Sequence, residues 1–173
     1  MLEAAILVIF PFCMVFAAIS DMLSMTIANR VTLLLIAGFA VIAPLTGMPW
    51  TDFGLHFLLA ALVLAITYVL FALGQMGGGD AKLLTGTVLW FGFTMQTANY
   101  LLYAAFLGGM LTLAILMLRS SSVAVFAGRV DFLRRIADPK EGIPYGIALG
   151  VAGLAVFPES TLGAWALASI IGG

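Results

Sequence analysis

The sequence predicts an all-α, polytopic membrane helix bundle with about six transmembrane helices, and three observations predict it. Only 9% of the residues are charged and 64% are apolar, whereas a soluble domain carries about 25% charged residues. Uncharged runs cover residues 4–20, 31–51, 53–79, 83–118 and 142–158, and most reach the roughly 17 to 25 residues that cross a bilayer as a helix. All seven Lys and Arg residues fall in three places along the chain. No linker or repeat divides the chain, so residues 1–173 read as a single membrane-embedded domain.

The chain opens MLEAAILVIF, with Glu3 as the only early charge and no basic region ahead of the apolar stretch. The first span, about residues 4–20, therefore reads as retained rather than removed as a signal. It carries Cys13, the only cysteine, which excludes an intrachain disulfide and a cysteine-based zinc site. Spans two and three follow at about 31–49 and 53–73. The run 83–118 is too long for one span. The polar stretch QTAN, Gln96 to Asn99, divides it into spans at about 81–96 and 99–118, because an extramembrane turn needs polar side chains and water for its backbone. The sixth span, about 143–158, is short. Residues 160–173 fit a surface helix, a re-entrant piece or a partial seventh span equally well.

The basic residues set the orientation. Arg30 follows the first span, Lys82 the third, and Arg119, Arg129, Arg134, Arg135 and Lys140 the fifth. These places share one face of a six-span chain, and Lys and Arg are enriched on the cytoplasmic side, which puts the N-terminus outside. Glu3, Asp52 and Glu159 then fall on the outer face. Residues 119–142 form the one sizeable polar segment, with Phe126, Val130, Leu133 and Ala137 at helical spacing opposite Arg129, Arg134 and Arg135. The segment reads as an amphipathic cytoplasmic loop that contacts anionic lipid. A role in docking substrate stays open.

Two acids at span ends stand apart from the basic runs: Asp21 in AAISDMLSMTIANR and Asp80 in GQMGGGDAKLL. Both map to the cytoplasmic boundary, where a helix bundle can bring them together. An ionised side chain at a helix centre costs about 2.5 to 3.5 kcal/mol on insertion scales, less near the interface, and such residues usually line a cavity or pathway. The plainer reading makes both acids interfacial, with Asp80 held by Lys82 and Asp21 capping a turn. Gly77, Gly78 and Gly79 precede Asp80 and leave the backbone free for unusual angles and close approach. An extended peptide requires such an edge, since a transmembrane substrate must unwind before water reaches its carbonyl. Taken alone, the glycines better suit a flexible turn or close helix packing.

Other chemistries fit poorly. A P-loop needs Gly-Lys-Ser/Thr after four intervening residues, whereas Gly74 leads through QMGG to Gly79 and then DAKLL, and Asp80 would repel phosphate. No G-x-S-x-G elbow occurs. His56, the only histidine, falls near the outer end of span three, away from both aspartates, and reads as a polar interfacial residue. Two carboxylates within a few ångströms share one proton, because their charges repel. The ionised member can take a proton from an attacking water while the protonated member stabilises the oxyanion and helps the amine leave. That chemistry needs no metal and no organic cofactor.

In GGGDAKLL, the pattern Gly-x-Gly-Asp followed by x-Lys-Leu resembles the signature of the type IV prepilin peptidases, intramembrane aspartic proteases of the GxGD kind. In that family the first catalytic aspartate ends a span and precedes Ile-Pro-Asn. Here Asp21 stands six residues before Ile27-Ala28-Asn29, with Ala28 in place of the proline. EGIPYGIALG, residues 141–150, resembles the family's entry to its final span. The resemblance implies Asp21 and Asp80 as the catalytic pair and Gly77 and Gly79 as loop glycines, with Gly78 between them. It matches Lys82 and Asn29 to the motifs' lysine and asparagine, although a snorkelling lysine and an N-cap of span two explain them equally. Pro144 and Tyr145 are expected only near the site.

Family members cut the basic leader from prepilins, after a glycine, at the cytoplasmic face. Bifunctional relatives also methylate the new N-terminus and carry a cytosolic insert with paired cysteines. This chain lacks that insert, so it resembles the short branch serving Flp-type (tight-adherence) pili, with the archaeal preflagellin peptidases as further relatives. The implied partners are prepilins or pseudopilins and the lipid bilayer, with no nucleic acid. The implied place is the bacterial cytoplasmic (inner) membrane, as a multi-pass protein. Two rivals from other classes are an ion- or proton-coupled transporter binding its cation at Asp21 and Asp80, and a noncatalytic membrane scaffold.

Overall fold

A computed structural model describes residues 1–120, 138 and 142–172. Among the described residues the chain is all helical. The helices are α1 (Leu2–Ser24), α2 (Asn29–Leu45), α3 (Trp50–Ala72), α4 (Gly78–Phe91), α5 (Met95–Ser120), α6 (Gly146–Val156), a 3-10 turn (Phe157–Glu159) and α7 (Thr161–Ile171). Three of them, α1, α3 and α5, are long and apolar enough to cross a membrane, and α6 with α7 makes a fourth if that pair, bent by 52°, counts as one span. Nearly all of the expected amphipathic loop lies outside the described residues.

The break in the long run 83–118 falls earlier than expected. α4 ends at Phe91, and Gly92 turns the chain with φ +66°, a left-handed value that favours glycine. Gln96 to Asn99 lie inside the start of α5 instead. There the Thr97 hydroxyl donates to the Gly92 carbonyl at 2.6 Å, so these polar residues serve a helix N-terminus rather than a turn. The C-terminal stretch is also decided. Residues Thr161–Ile171 form a helix capped by Ser160, whose Oγ accepts from the Gly163 N–H at 3.1 Å, and its Leu162, Gly163 and Ala166 are buried.

Apolar side chains fill the interior and cover much of the exterior as well. α4 sits at the centre with Ala81 and every residue from Leu83 to Phe91 buried. Its interior includes Thr85 and Thr87, whose hydroxyls bond back to the carbonyls of Ala81 and Leu83 at 2.8 Å each, so no polar group is stranded there. Trp90 ties α4 to α2 through Nε1 on the Leu35 carbonyl at 2.9 Å. The exteriors of α3 and α5 expose Leu58, Leu62, Ile66, Leu102, Phe106 and Leu113, which a bilayer solvates and water does not. His56, expected at an interface, is buried, with Nδ1 on the Leu89 carbonyl at 2.7 Å and its ring stacked on Phe39. It locks α3 to α4 and lies away from both aspartates.

α1 and α6 meet through a glycine seam. A Cβ at Gly150 would stand 2.8 Å from the Met14 backbone oxygen, and one at Gly153 would stand 2.9 Å from the Met14 sulfur. Backbones come this close only where side chains are absent, which is how membrane helices gain packing without a hydrophobic driving force. Gly150→Val is therefore expected to destabilise the bundle by about 1 to 3 kcal/mol or more, since the opposing atom belongs to a backbone. Gly109→Ala, on α5 where a Cβ meets nothing within 4 Å, is expected to be neutral or to stabilise by about 0.5 to 1 kcal/mol. Unfolding in detergent micelles compares the two.

Candidate active site

Asp21 lies in the last turn of α1. The chain reverses after it through Met25, which adopts the left-handed conformation (φ 52°, ψ 28°) and donates its N–H to the Asp21 carbonyl at 2.8 Å. The Asp21 side chain turns into the bundle and is 6% exposed. Its Oδ2 accepts the Gly146 N–H at 2.7 Å. Gly146 opens α6, so the carboxylate also meets the positive end of that helix. A side chain at position 146 would collide with Asp21, its Cβ falling 2.8 Å from the Asp21 Cβ and 2.9 Å from Oδ2.

Asp80 lies in the first turn of α4. Gly77 is the N-cap (φ −69°, ψ 141°), and Gly78 and Gly79 are the first two helical residues. An acid in this turn is favoured by the unpaired N–H groups of the helix start. None of the three glycines has a positive φ; in this segment only Gly74 does, at +71°. Of the two freedoms that the glycines offer, unusual angles and close approach, they use only close approach. A Cβ would stand 2.7 Å from Asp80 Oδ2 at Gly77, 3.2 Å from the Phe71 ring at Gly78, and 3.2 Å from the Ile27 Cβ at Gly79. Gly79 thus lets α4 settle onto the segment that follows Asp21.

The two acids open into one space. Asp21, Asp80, Ile27 and Gly77 to Gly79 line a cavity of about 300 Å³, together with Met25 and Thr26. A second cavity, of about 390 Å³, shares Gly77 and Asp80 and is walled by Leu70, Gln75, Met76, Ile143 and Tyr145. Asp80 stands between the two, half-buried, and feels the charge of Asp21. Each cavity has room for several waters, at roughly 30 Å³ of liquid volume apiece. A carboxylate pair facing shared, water-sized space can hold a water between its members and pass protons to and from it.

The remaining motif residues fall around this centre. Lys82 turns away from Asp80 and donates to Asn29 Oδ1 at 3.0 Å. Among the described residues Asp80 therefore has no ion pair with Lys82, and Asp21 bonds to another helix rather than to its own turn, so the plain interfacial reading of both acids does not describe them. Asn29 is not the N-cap of α2; Ala28 is. Pro144 is buried and Tyr145 half-buried just ahead of Gly146. Sequence reasoning missed Gly146, Ile27 and Phe71 as residues of the site. The spacing of Gly146, Gly150 and Gly153 was the available signal, since it sets small residues on one helix face. Among the described residues no three His, Cys, Asp or Glu side chains gather into a metal-ligand set.

Ala28 has φ −64° and ψ 136°, which lies within proline's own range. Replacing the usual proline by alanine therefore leaves the turn geometry intact. Ala28→Pro is expected to keep the fold and to raise stability by about 0.4 to 1 kcal/mol by restricting the unfolded chain, as measured by unfolding in micelles. A loss of stability would mean that the Ala28 N–H or the residue before it cannot accept the ring.

Comparison with known proteins adds one finding. No curated protein and no solved structure gives a significant match to the chain. The model of the type IV leader peptidase family matches residues 8–117, more than half of the chain. That stretch takes in Asp21, Ile27 to Asn29, Gly77 to Asp80 and Lys82 and stops short of Pro144 and Tyr145. With an all-helical membrane bundle around these motifs, the chain belongs to the type IV leader peptidase family.

Proposed function

We propose that this peptidase is an aspartic endopeptidase, with Asp21 and Asp80 as its catalytic pair, and that it removes the basic leader of Flp-type prepilins or pseudopilins. The observation that carries the reading is the cavity that Asp21 and Asp80 share, whose lining includes Gly77, Gly78 and Gly79. A water held between the carboxylates loses a proton to the ionised one as its oxygen attacks the scissile carbonyl. The protonated one donates to the carbonyl oxygen, and the collapsing intermediate expels the amine, which takes up a proton. The pair titrates as a unit, so the shared proton belongs to both. Gly77 to Gly79 leave room for an extended substrate backbone beside Asp80.

The site works at the cytoplasmic face in this reading. Arg30, Lys82 and Arg119 lie at the same end of the bundle as the two aspartates, in the first turn of α2, early in α4 and in the last turn of α5. Positive residues gather on the cytoplasmic side, which favours an N-terminus outside; the resemblance to prepilin peptidases supports a bacterial inner membrane as the place of this single membrane-embedded peptidase domain. A basic leader would remain on that side while the apolar part of the substrate stays in lipid. With one cysteine and no cytosolic insert, the enzyme cleaves without methylating. A transporter would hold its carboxylates near the bilayer midplane, whereas these lie at helix ends.

Co-expression with a prepilin tests the reading through the mass of the processed pilin. Asp21→Asn and Asp80→Asn are each expected to lower cleavage by at least about 100-fold, the usual contribution of a positioned acid or base, while the protein still inserts into the membrane. Normal processing by both variants would overturn the aspartic mechanism. Loss in Asp80→Asn alone would remove Asp21 as the partner.

A further inference from the structure

Tyr145 takes no part in the chemistry above, yet α5 has a place shaped for its ring. Gly108 is buried in the middle of α5, and a Cβ there would collide with the Tyr145 ring at Cζ, Cε2 and the hydroxyl. Its neighbour Gly109 faces open space, so only one of two adjacent glycines receives the ring. Farther along α5, Arg119 Nη2 donates to the Gly142 carbonyl at 3.2 Å. The helix thereby holds residues 142–145 at both ends.

What those residues carry makes the contact consequential. Ile143 and Tyr145 wall the cavity beside Asp80. The residue after Tyr145 is Gly146, whose N–H meets Asp21 Oδ2. Pro144, between Ile143 and Tyr145, is buried and its ring fixes φ, which stiffens the chain ahead of Tyr145; Gly146 follows Tyr145 directly, so a shift of the Tyr145 backbone moves the Gly146 N–H. α5 touches neither aspartate through Gly108, but it reaches both through this short rigid segment.

We propose that Gly108 and Tyr145 form a latch: the glycine seats the ring, and the seated ring sets the Gly146 N–H on Asp21 and the wall of the cavity beside Asp80. Tyr145 is then a positioning residue and Gly108 its socket. The kinetic part of this proposal rests on the aspartic-peptidase reading; the positional part does not. Gly108→Ala displaces the movable end of an aromatic side chain rather than backbone, so the bundle keeps its fold while the latch opens.

The test joins leader-cleavage kinetics to amide hydrogen exchange over residues 143–147, with the full chain in micelles. Gly108→Ala is expected to lower kcat by about 100-fold, the effect of roughly 1 Å of misplacement at a reacting centre, with KM little changed, and to speed exchange at Gly146. Tyr145→Ala does the same, and Tyr145→Phe, which keeps Cζ and Cε2 in the socket, restores most of that loss. In the double variant Gly108→Ala adds nothing to Tyr145→Ala, since no ring remains to displace. Asp80→Asn separates the two claims: cleavage is lost while Gly146 stays protected. Additive losses in the double variant, or unchanged exchange at Gly146 in Gly108→Ala, would overturn the latch even with both aspartates essential. If cleavage does not depend on the aspartates, exchange alone decides it.

Discussion

The contact on which the rest depends is the close seam between α1 and α6. Three glycines on one face of α6 let its backbone reach Met14 and Asp21 of α1. At the head of the seam the Gly146 N–H donates to Asp21 Oδ2. Inside a membrane an unpaired carboxylate is among the costliest groups a chain can carry, and this bond, at a helix start, is what offsets that cost on one oxygen. Because the seam is backbone against side chain with no slack, it also fixes how far α1 can rotate. The direction of Asp21 follows from that rotation.

Asp80 is held by a different device with the same logic. Its glycines are not hinges with rare backbone angles; they are gaps through which neighbours come near. Gly79 admits Ile27, from the segment just after Asp21, and Gly78 admits Phe71 from α3. The Gly79 contact shortens the distance between the parts of the chain that bear the two acids, and the Gly78 contact packs α4 against α3. The central helix α4 repeats the pattern deeper in the core, where a Cβ at Gly86 would stand 3.1 Å from the Leu35 side chain and Thr85 and Thr87 satisfy themselves on their own backbone. Large rings such as Trp90, Phe10 and Phe39 fill the interior beside these small and self-bonded residues, while further large apolar residues face outward to lipid.

Much of this was legible in the sequence, because hydropathy and charge are local properties. The long apolar runs become α1, α3 and α5, and the Gly-x-Gly-Asp pattern locates the acid of α4. The division of the 83–118 run was misjudged because polar residues mark both turns and helix starts; Gly92, with its left-handed φ, was the stronger break. Asn29 reads equally as the motif's asparagine and as an N-cap; the cap is Ala28, and the asparagine receives Lys82 from another helix. Such partners are chosen by packing and leave no trace in local spacing.

By itself, then, the sequence determined the solvent, the helices and the residue types able to do acid and base chemistry, since each depends on side chains read one segment at a time. Only the tertiary structure decided that Asp21 takes its hydrogen bond from Gly146, that Asp80 turns from Lys82 toward a shared cavity, and that Tyr145 sits in a socket on α5. The physical reason is that these depend on which backbones approach closest. Close approach depends on a side chain missing from one element and on the residue of another that fills its place, a property of the pair that neither segment carries alone.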